Sequence, residues 1–568
     1  MLCQSSRDTL SSLRRLSFDV GLVWSIVCMN KPLHQLSIAE CAREIASGAV
    51  SPVELTEACL GAIETHNSDV NAFLYVTDDL ARAQARAAEE EIRSIGPRSP
   101  MHGVPFALKD IYDTRGIATT GHSALYRQRI PAEDSACTER LYGAGAVLLG
   151  KLATHEFATG GPAYDLPWPP ASNPWLLDRF PGGSSSGSGA AVATGMVPGA
   201  LGSDTAGSIR LPAAFCGVAG LKPTFGRVSK RGVLPLSWTL DTCGPLTWTV
   251  EDAAIMLQII AGHDPLDPCT VQRCVPDYTA ALREDLKGMR IGIVRHFYEQ
   301  DSPADEVTVA AMESAIKVLQ GLGATLVDLA LPPLADYQAS TRIIIVSEAF
   351  AIQRENLLSK PELYGAVTRY RIMPGALVSA ADYLNALRFQ RLLAEKTLHA
   401  MDSVDALLTA TTYGPAPVQS QMRAEANFSK PPLTNPFNAA QLPALSVCNG
   451  YAPEGLPLAM QIVGRPFDEA TVLHIGHAYE RATNWRDRRP AFKHPKNYLE
   501  PVAPGAMLEA ADPKALEHYR ARIESQGMHL DDPQLADLTE AMPHLEAMIA
   551  RIPKDLGFAD VPSSIFAW

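Results

Sequence analysis

The sequence predicts an α/β protein with a mixed central β-sheet flanked by helices, followed by a small helical C-terminal extension. Three observations carry this. Apolar runs of strand length alternate with helical patterns through most of the chain, which is the signature of an α/β sheet. Apolar residues make up 46% and charged residues 20% of 568 residues, enough to bury a large core. Composition then shifts after about Pro490 to a Pro/Gly stretch and two amphipathic helical segments.

In chain order, residues 1–32 are expected to be an extension or a start codon assigned too early. Arg14-Arg15 precede an apolar stretch, Val20 to Cys28, that superficially resembles a signal peptide. Asp19 interrupts it and no small-residue cleavage site follows. The main domain is expected over 33–495. Ser37 with Glu40, and Ser51-Pro52 with Glu54, form capping boxes opening two helices, the first ending near Gly48. Strands are expected at 104–108, 146–149, 291–294, 325–329, 406–408 and 458–463, with helices between 300 and 400 forming a peripheral cap. Residues 501–505 read as a linker and 506–568 as the helical extension. There Asp512-Pro513 and Asp532-Pro533 supply caps, Gly527 stops the first helix and Pro543 kinks the second. Leu535, Leu538, Met542, Leu545, Ile549 and Ile552 fall on one stripe. So small a segment cannot bury its own stripe and must pack on the main body or on another subunit.

The bulk numbers exclude several functions. A formal net charge of −13 argues against a nucleic-acid partner, which needs a basic footprint. The ten cysteines show no C-x-x-C pair, which suits reduced thiols and a cytoplasmic location. Cys269 and Cys274 are expected on a loop. No His/Cys cluster has zinc-site spacing, and His155-Glu156 lacks the second histidine of a zincin helix, so no metal is expected. No stretch beyond residue 30 approaches a membrane span, and no membrane-binding helix is evident.

Residues 181–220, PGGSSSGSGAAVATGMVPGALGSDTAGSIRLPAAFCGVAG, are mostly Gly, Ala and Ser. Interleaved apolar residues, with Asp204 and Arg210 between them, point to backbone segments packed very close together rather than to a flexible linker. Gly183 to Gly187 matches a G-x-S-x-G elbow centred on Ser185, but no strand precedes it. Gly145 to Lys151 matches the start of a P-loop, yet Leu152 stands where Ser/Thr would hold magnesium, and the interior reads as a buried strand.

The stretch GGSSSG…GSDTAGSIRLPAAFCGVAG resembles the amidase signature family. The likeness extends through GVPFALKD (103–110), GKLATHEFATGG (150–161), RGVLPLSWTLDTCGP (231–245), LPALSVCNG and LPLAMQIVG (442–464). It implies an amide hydrolase with a triad lacking histidine: Ser208 as nucleophile, Ser184 as bridge and Lys109 as base. It also implies a cis peptide before Ser184, and no cofactor. A lysine takes a proton only when neutral, and a solvated one is about 0.04% neutral at pH 7. Burial can lower its pKa by several units. Lys109 directly follows the apolar run Val104 to Leu108, a poor place for solvent exposure.

Backbone N–H groups of Thr205, Ala206, Gly207 and Ser208 are expected to form the oxyanion hole. Ala206 stands where the family usually has glycine, and would be strained if that position is left-handed. Asp204 and Arg210 are expected to brace this loop, and Ser185 to orient Ser184. Trp168 and Trp175 are candidates either for an apolar acyl site or, with the stronger claim, for packing.

The substrate expected is a small-molecule amide. A rival reading is the glutaminase subunit of a tRNA amidotransferase; its glutamine-binding aspartate has no counterpart in the stretch Pro432 to Phe437. A second rival is a non-catalytic scaffold on the same fold, which the full triad disfavours. The C-terminal segment, closing in VPSSIF (561–566), looks like the small partner subunit of some amidases, here fused. Relatives often form homodimers, and nothing in this sequence decides between one copy and two.

Overall fold

The computed structural model describes residues 31–422, 430–492, 512–557 and 560. Most of the N-terminal extension, the 501–505 linker and the VPSSIF segment lie outside the described residues.

The two capping boxes form as expected. Ser37 opens the helix Ile38–Ser47, which stops at left-handed Gly48, and Ser51 opens Pro52–Val70. The chain then builds one sheet from β1 (Phe73–Val76), β2 (Pro105–Lys109), β3 (Val147–Leu152), β4 (Gly199–Asp204), β5 (Ala219–Lys222), β6 (Thr242–Thr247), β7 (Arg290–Ile293), β8 (Thr325–Asp328), β9 (Ala406–Ala410), β10 (Ala444–Tyr451) and β11 (Pro457–Gly464). Among the described residues these eleven strands lie in the order β1-β3-β2-β4-β6-β5-β10-β11-β9-β7-β8. Pairings of β2 with β3 and β4, and of β7 with β8 and β9, are parallel; the others are antiparallel. The sheet is therefore mixed, and helices cover it, as the alternation predicted.

All six expected strands are present within a few residues. Strands β1, β4, β5, β6 and β10 are not among the expected ones. In β4 and β6 the sequence is GALGSD and TCGPLT, with little of the β-branched signal that marks a strand. The reason is close approach. A Cβ on Gly202 would stand 2.6 Å from Ser185 Oγ, and one on Gly244 would stand 2.2 Å from the Leu221 carbonyl oxygen. The middle of the sheet is built from small residues because its neighbours leave no room for side chains.

The expected cap exists: the helices Leu334–Ser359, Ala366–Ile372 and Ala380–Ala400 lie in the 300–400 region. The C-terminal helices are Pro513–Glu524 and Asp532–Arg551. Asp512 caps the first as expected, but the second is capped by Asp531, in a capping box with Gln534, rather than by Asp532. The first helix ends before left-handed Gly527, and the second continues through Pro543. The stripe packs on this chain's own body, against the cap helices 334–359 and 366–372. Leu535, Leu538, Met542, Leu545 and Ile552 are buried, with Met548 taking the buried place beside partly exposed Ile549. Among the described residues no helix is long and apolar enough to cross a membrane.

Gly244→Ala is expected to destabilise the protein by about 1–3 kcal/mol, the usual cost of forcing a methyl group into a packed interior. Chemical denaturation against the wild type reads this. An unchanged midpoint would mean that β5 and β6 can separate freely, contrary to the close packing described.

Candidate active site

Lys109 ends β2, a strand buried along its whole length. Its position at a strand terminus turns a fully buried amine toward the loops beyond the sheet. Nζ lies 2.7 Å from Ser184 Oγ and 2.9 Å from Ser203 Oγ, two hydroxyls and no carboxylate. Burial lowers the Lys109 pKa from its ordinary range to about 7, with the charges of Asp241, Cys243 and Asp204 pulling the other way.

Ser184 follows a cis peptide from Gly183, as the resemblance implied. Gly183 is required by contact: a Cβ there would fall 2.0 Å from the His155 ring. His155 stacks on Phe180 with ring centroids 5.7 Å apart, and its backbone N–H donates to the Ser184 carbonyl at 3.1 Å. Burial, then the positive charges of Arg371 and Lys109, keep the His155 imidazole neutral.

Ser185 is no nucleophile elbow. No strand precedes it, and its buried hydroxyl is tied to Ser203, accepting from Ser203 N at 3.2 Å and donating to Ser203 O at 3.3 Å. It was expected to orient Ser184; its side chain instead fixes Ser203, the second partner of Lys109. Ser185 N also donates to the Ser208 carbonyl at 3.3 Å, joining the two serine loops.

The loop after β4 is organised by Asp204. Its carboxylate accepts from the backbone N–H of Gly207 (2.7 Å) and Ile209 (3.2 Å), from Asn438 Nδ2 (2.8 Å), and from Arg210 Nε and Nη2, both at 3.0 Å. Arg210 reaches on to the Thr434 carbonyl and Gln461 Oε1 at 3.0 Å and to Asn438 Oδ1 at 2.6 Å. The Arg210 guanidinium holds the Asp204 carboxyl far below the usual carboxylate range, overcoming its burial.

Two expectations for the loop need correction. The Gly207 N–H is committed to Asp204, so it is not available as an oxyanion donor. Gly207, with φ 123°, rather than Ala206 takes the left-handed conformation, so Ala206 carries no such strain. A Cβ on Gly207 would strike Thr434 Oγ1 at 2.4 Å, which itself donates to the Ala206 carbonyl.

Ser184, Ser208, Thr205 and Ala206 line one cavity of about 100 Å³. His155, Phe180, Leu236 and Pro432 add to its wall, and the cap contributes Arg342, Ile345, Val367 and Arg371. Two guanidinium side chains thus line it. A second cavity shares Ala158 and Leu236 with the first and reaches Ser203 and Asp241. Asp241 accepts from Thr205 Oγ1 at 2.6 Å and from the N–H groups of Leu236 and Ser237.

Neither tryptophan is among the residues lining the cavity that holds Ser184 and Ser208. Trp175 is buried, donates to the Cys216 carbonyl at 2.8 Å and packs with Ala416 and Leu456. Trp168 stands away from the serines, its carbonyl meeting His122 Nε2 at 3.1 Å. Lys151 of the P-loop-like match lies in β3 with its amine on the Tyr112 carbonyl, Thr119 and Asp110, a structural ion pair. Cys269 and Cys274 are free thiols in an irregular segment. The residues not anticipated from the sequence are Ser203, Asp241, His155, Arg342 and Arg371. Ser203 had a signal in the GSD motif and His155 in THEFATGG, but the arginines belong to helices without a motif.

Comparison with known proteins completes the picture. The chain matches the family Amidase over residues 54–473. It is 41% identical over 485 residues to a glutamyl-tRNA(Gln) amidotransferase subunit of Chloroflexus aggregans, covering 81% of this chain and 98% of that protein. Among solved structures, the native peptide amidase of Stenotrophomonas maltophilia is 30% identical with a TM-score of 0.71, over 81% of this chain and 99% of that one. A structure described as a vestigial protein complex bearing on the origins of an s-triazine catabolic enzyme is 32% identical with a TM-score of 0.73, over 78% of this chain and 98% of that one. The extent of these matches, on a mixed sheet that holds the motifs together, places the chain in the amidase family.

Proposed function

We propose that the chain hydrolyses a carboxamide through an acyl-enzyme on Ser208. The observation that carries this is the 2.7 Å approach of a buried, solvent-free lysine amine to Ser184, whose hydroxyl opens into the same cavity as Ser208. A neutral Lys109 donates one N–H to Ser203 and accepts the proton of Ser184. Ser184 in turn takes the proton of Ser208 as its oxygen attacks the carbonyl carbon. The C–N bond then breaks while the proton returns from Lys109 through Ser184 to the leaving nitrogen. Water repeats the sequence on the ester, releasing the acid and restoring Ser208.

The remaining oxyanion candidates are the N–H groups of Thr205, Ala206 and Ser208. One such donor contributes typically ~3–4 kcal/mol to the transition state.

The arginines favour a substrate that carries a carboxylate. A guanidinium in a water-poor wall stabilises an anion strongly and repels a cation. This fits two readings. The amidotransferase reading is the better supported by sequence, through the 41% identity to a subunit of that enzyme, and glutamine is a carboxamide with a carboxylate. The stand-alone amidase reading is supported by the pocket. Glutamine also carries an ammonium, and Pro432 lines the wall in the stretch where glutaminase subunits hold an aspartate. The amide of a simple dicarboxylic acid needs no such partner.

A fluorophosphonate probe is expected to label Ser208, read by peptide mass spectrometry, and Lys109→Ala is expected to slow labelling by at least ~100-fold. Label on Ser185 would overturn the assignment. Because the pKa of Lys109 is lowered to about 7 and the active form is the neutral amine, labelling should rise with pH through about 7 and level off above it. A flat profile from pH 5 to 9 would contradict a lysine base. Arg371→Met is expected to raise KM at least ~tenfold for a carboxylate-bearing amide while leaving a neutral amide of equal length unchanged. Comparing glutamine with glutaric acid monoamide separates the two substrate readings.

A further inference from the structure

The two guanidinium groups of the substrate cavity sit on helices that do not belong to the sheet. Arg342 is carried by Leu334–Ser359 and Arg371 by Ala366–Ile372. The second of these has only seven residues, too few to be stable alone, so its position depends on what packs around it. On the sheet side its N-terminus is held by two carboxylates: Glu156 accepts from Gly365 N at 2.9 Å and Asp165 from Ala366 N at 2.8 Å.

On the outer side stands the C-terminal segment. The helix Asp532–Arg551 lies against both arginine-bearing helices and against the turn Met373–Leu377 that follows the shorter one. Leu535, Leu538, Met542 and Leu545 join the main buried core there. Polar ties reinforce the contact. Arg551 Nε donates to Asp336 Oδ1 at 2.5 Å, within two turns of Arg342 on the same helix. Asp537, its carboxyl raised to about 6 chiefly by burial, faces the charge of Arg369, two residues before Arg371. Arg388 of Ala380–Ala400 donates to the carbonyls of Leu556 (3.0 Å), Gly557 (2.9 Å) and Asp560 (2.6 Å), tying down the chain beyond the helix. The family match ends at residue 473, well before the C-terminal groups in these contacts.

We infer that the C-terminal helices are a specificity clamp, which holds Arg342 and Arg371 at the anionic end of the substrate and takes no part in the Lys109–Ser184–Ser208 chemistry. The inference rests on the carboxylate-bearing amide proposed above. A charged contact is effective only when its geometry is held to about 0.5 Å, and the arginine helices lack the strand pairing that fixes the serine loops. The apolar stripe of 532–551 supplies that constraint from outside the sheet.

The test uses the full chain with Leu538→Asp, and Arg551→Ala as a milder variant should the first fail to fold. Two quantities are measured: kinetics on a carboxylate-bearing amide and a neutral amide of equal length, and amide hydrogen exchange in peptides covering 366–372 and 186–194. Loosening the clamp is expected to raise KM for the anionic amide about tenfold, with kcat and the neutral amide within about twofold. Exchange should quicken at 366–372 and stay unchanged at 186–194. Parallel losses on both amides, or exchange at 366–372 that does not change, would overturn the clamp. Should the intact chain hydrolyse neither amide, the functional reading fails and the clamp falls with it, whereas hydrolysis of both amides with unaltered selectivity in the variants overturns the clamp alone.

Discussion

An ammonium group taken out of water loses hydration that only a carboxylate or a dense set of acceptors can replace. Lys109 is denied both. Its amine has two serine hydroxyls within reach, and the charges that favour protonation, Asp241 and Asp204, act on it without touching it. The contrast with Lys151 is instructive. That lysine is equally buried, but Asp110 lies 3.4 Å away and Thr119 and a backbone carbonyl complete its shell. One lysine has a counterion in contact and the other has only hydroxyls, which is the contrast that the proposed proton exchange at Lys109 relies on. The sheet, the serine loops and the small-residue packing all serve to keep water from the second.

The hydroxyls must also be held where the lysine can use them. Ser203 lies within β4, and Ser185 Oγ ties both its backbone N–H and its carbonyl, which fixes the main chain from which its hydroxyl reaches Nζ. The nucleophile's loop is fixed by Asp204 and Arg210, a buried ion pair whose remaining donors and acceptors are satisfied by Gln461, Asn438, Thr434 and backbone N–H groups. A buried pair of this kind adds little stability of its own, but removing either partner leaves an uncompensated charge. Its value lies in specifying one loop conformation, and it links β4 to β11 through Gln461 and to the short helix Asn435–Ala439 through Asn438.

Where the sequence was legible, local chemistry and structure coincided. Both N-terminal capping boxes and the buried strand that ends at Lys109 are written in neighbouring residues. Strands β4, β5 and β6 were not, because the central sheet is packed so closely that Gly, Ala and Ser replace the β-branched residues by which strands are recognised. Gly207's commitment to Asp204 was hidden for another reason. Four successive N–H groups look alike in a sequence, and only the fold decides which of them turns inward. Arg342 and Arg371 lie on helices whose apolar residues face several ways at once, so nothing marks which polar residue enters a cavity.

This division of legibility follows a division of labour. The proton-handling groups sit on β2, on β4 and on the loops they lead into, where strand pairing and close-packed glycines admit few substitutions. The groups proposed to meet the rest of the substrate, Arg342 and Arg371, sit on peripheral helices with ordinary packing. Similarity to a peptide amidase and to part of an amidotransferase therefore speaks to the shared sheet and its serines, since both relatives are matched over nearly their whole length. It says less about the substrate, because the wall that reads the substrate is carried by the cap and backed by helices beyond the family match. On the mechanism proposed, a substrate assignment for this chain has to come from the cap side of the cavity, where Arg342 and Arg371 stand, since the chemistry at Ser208 would be the same for any amide that fits.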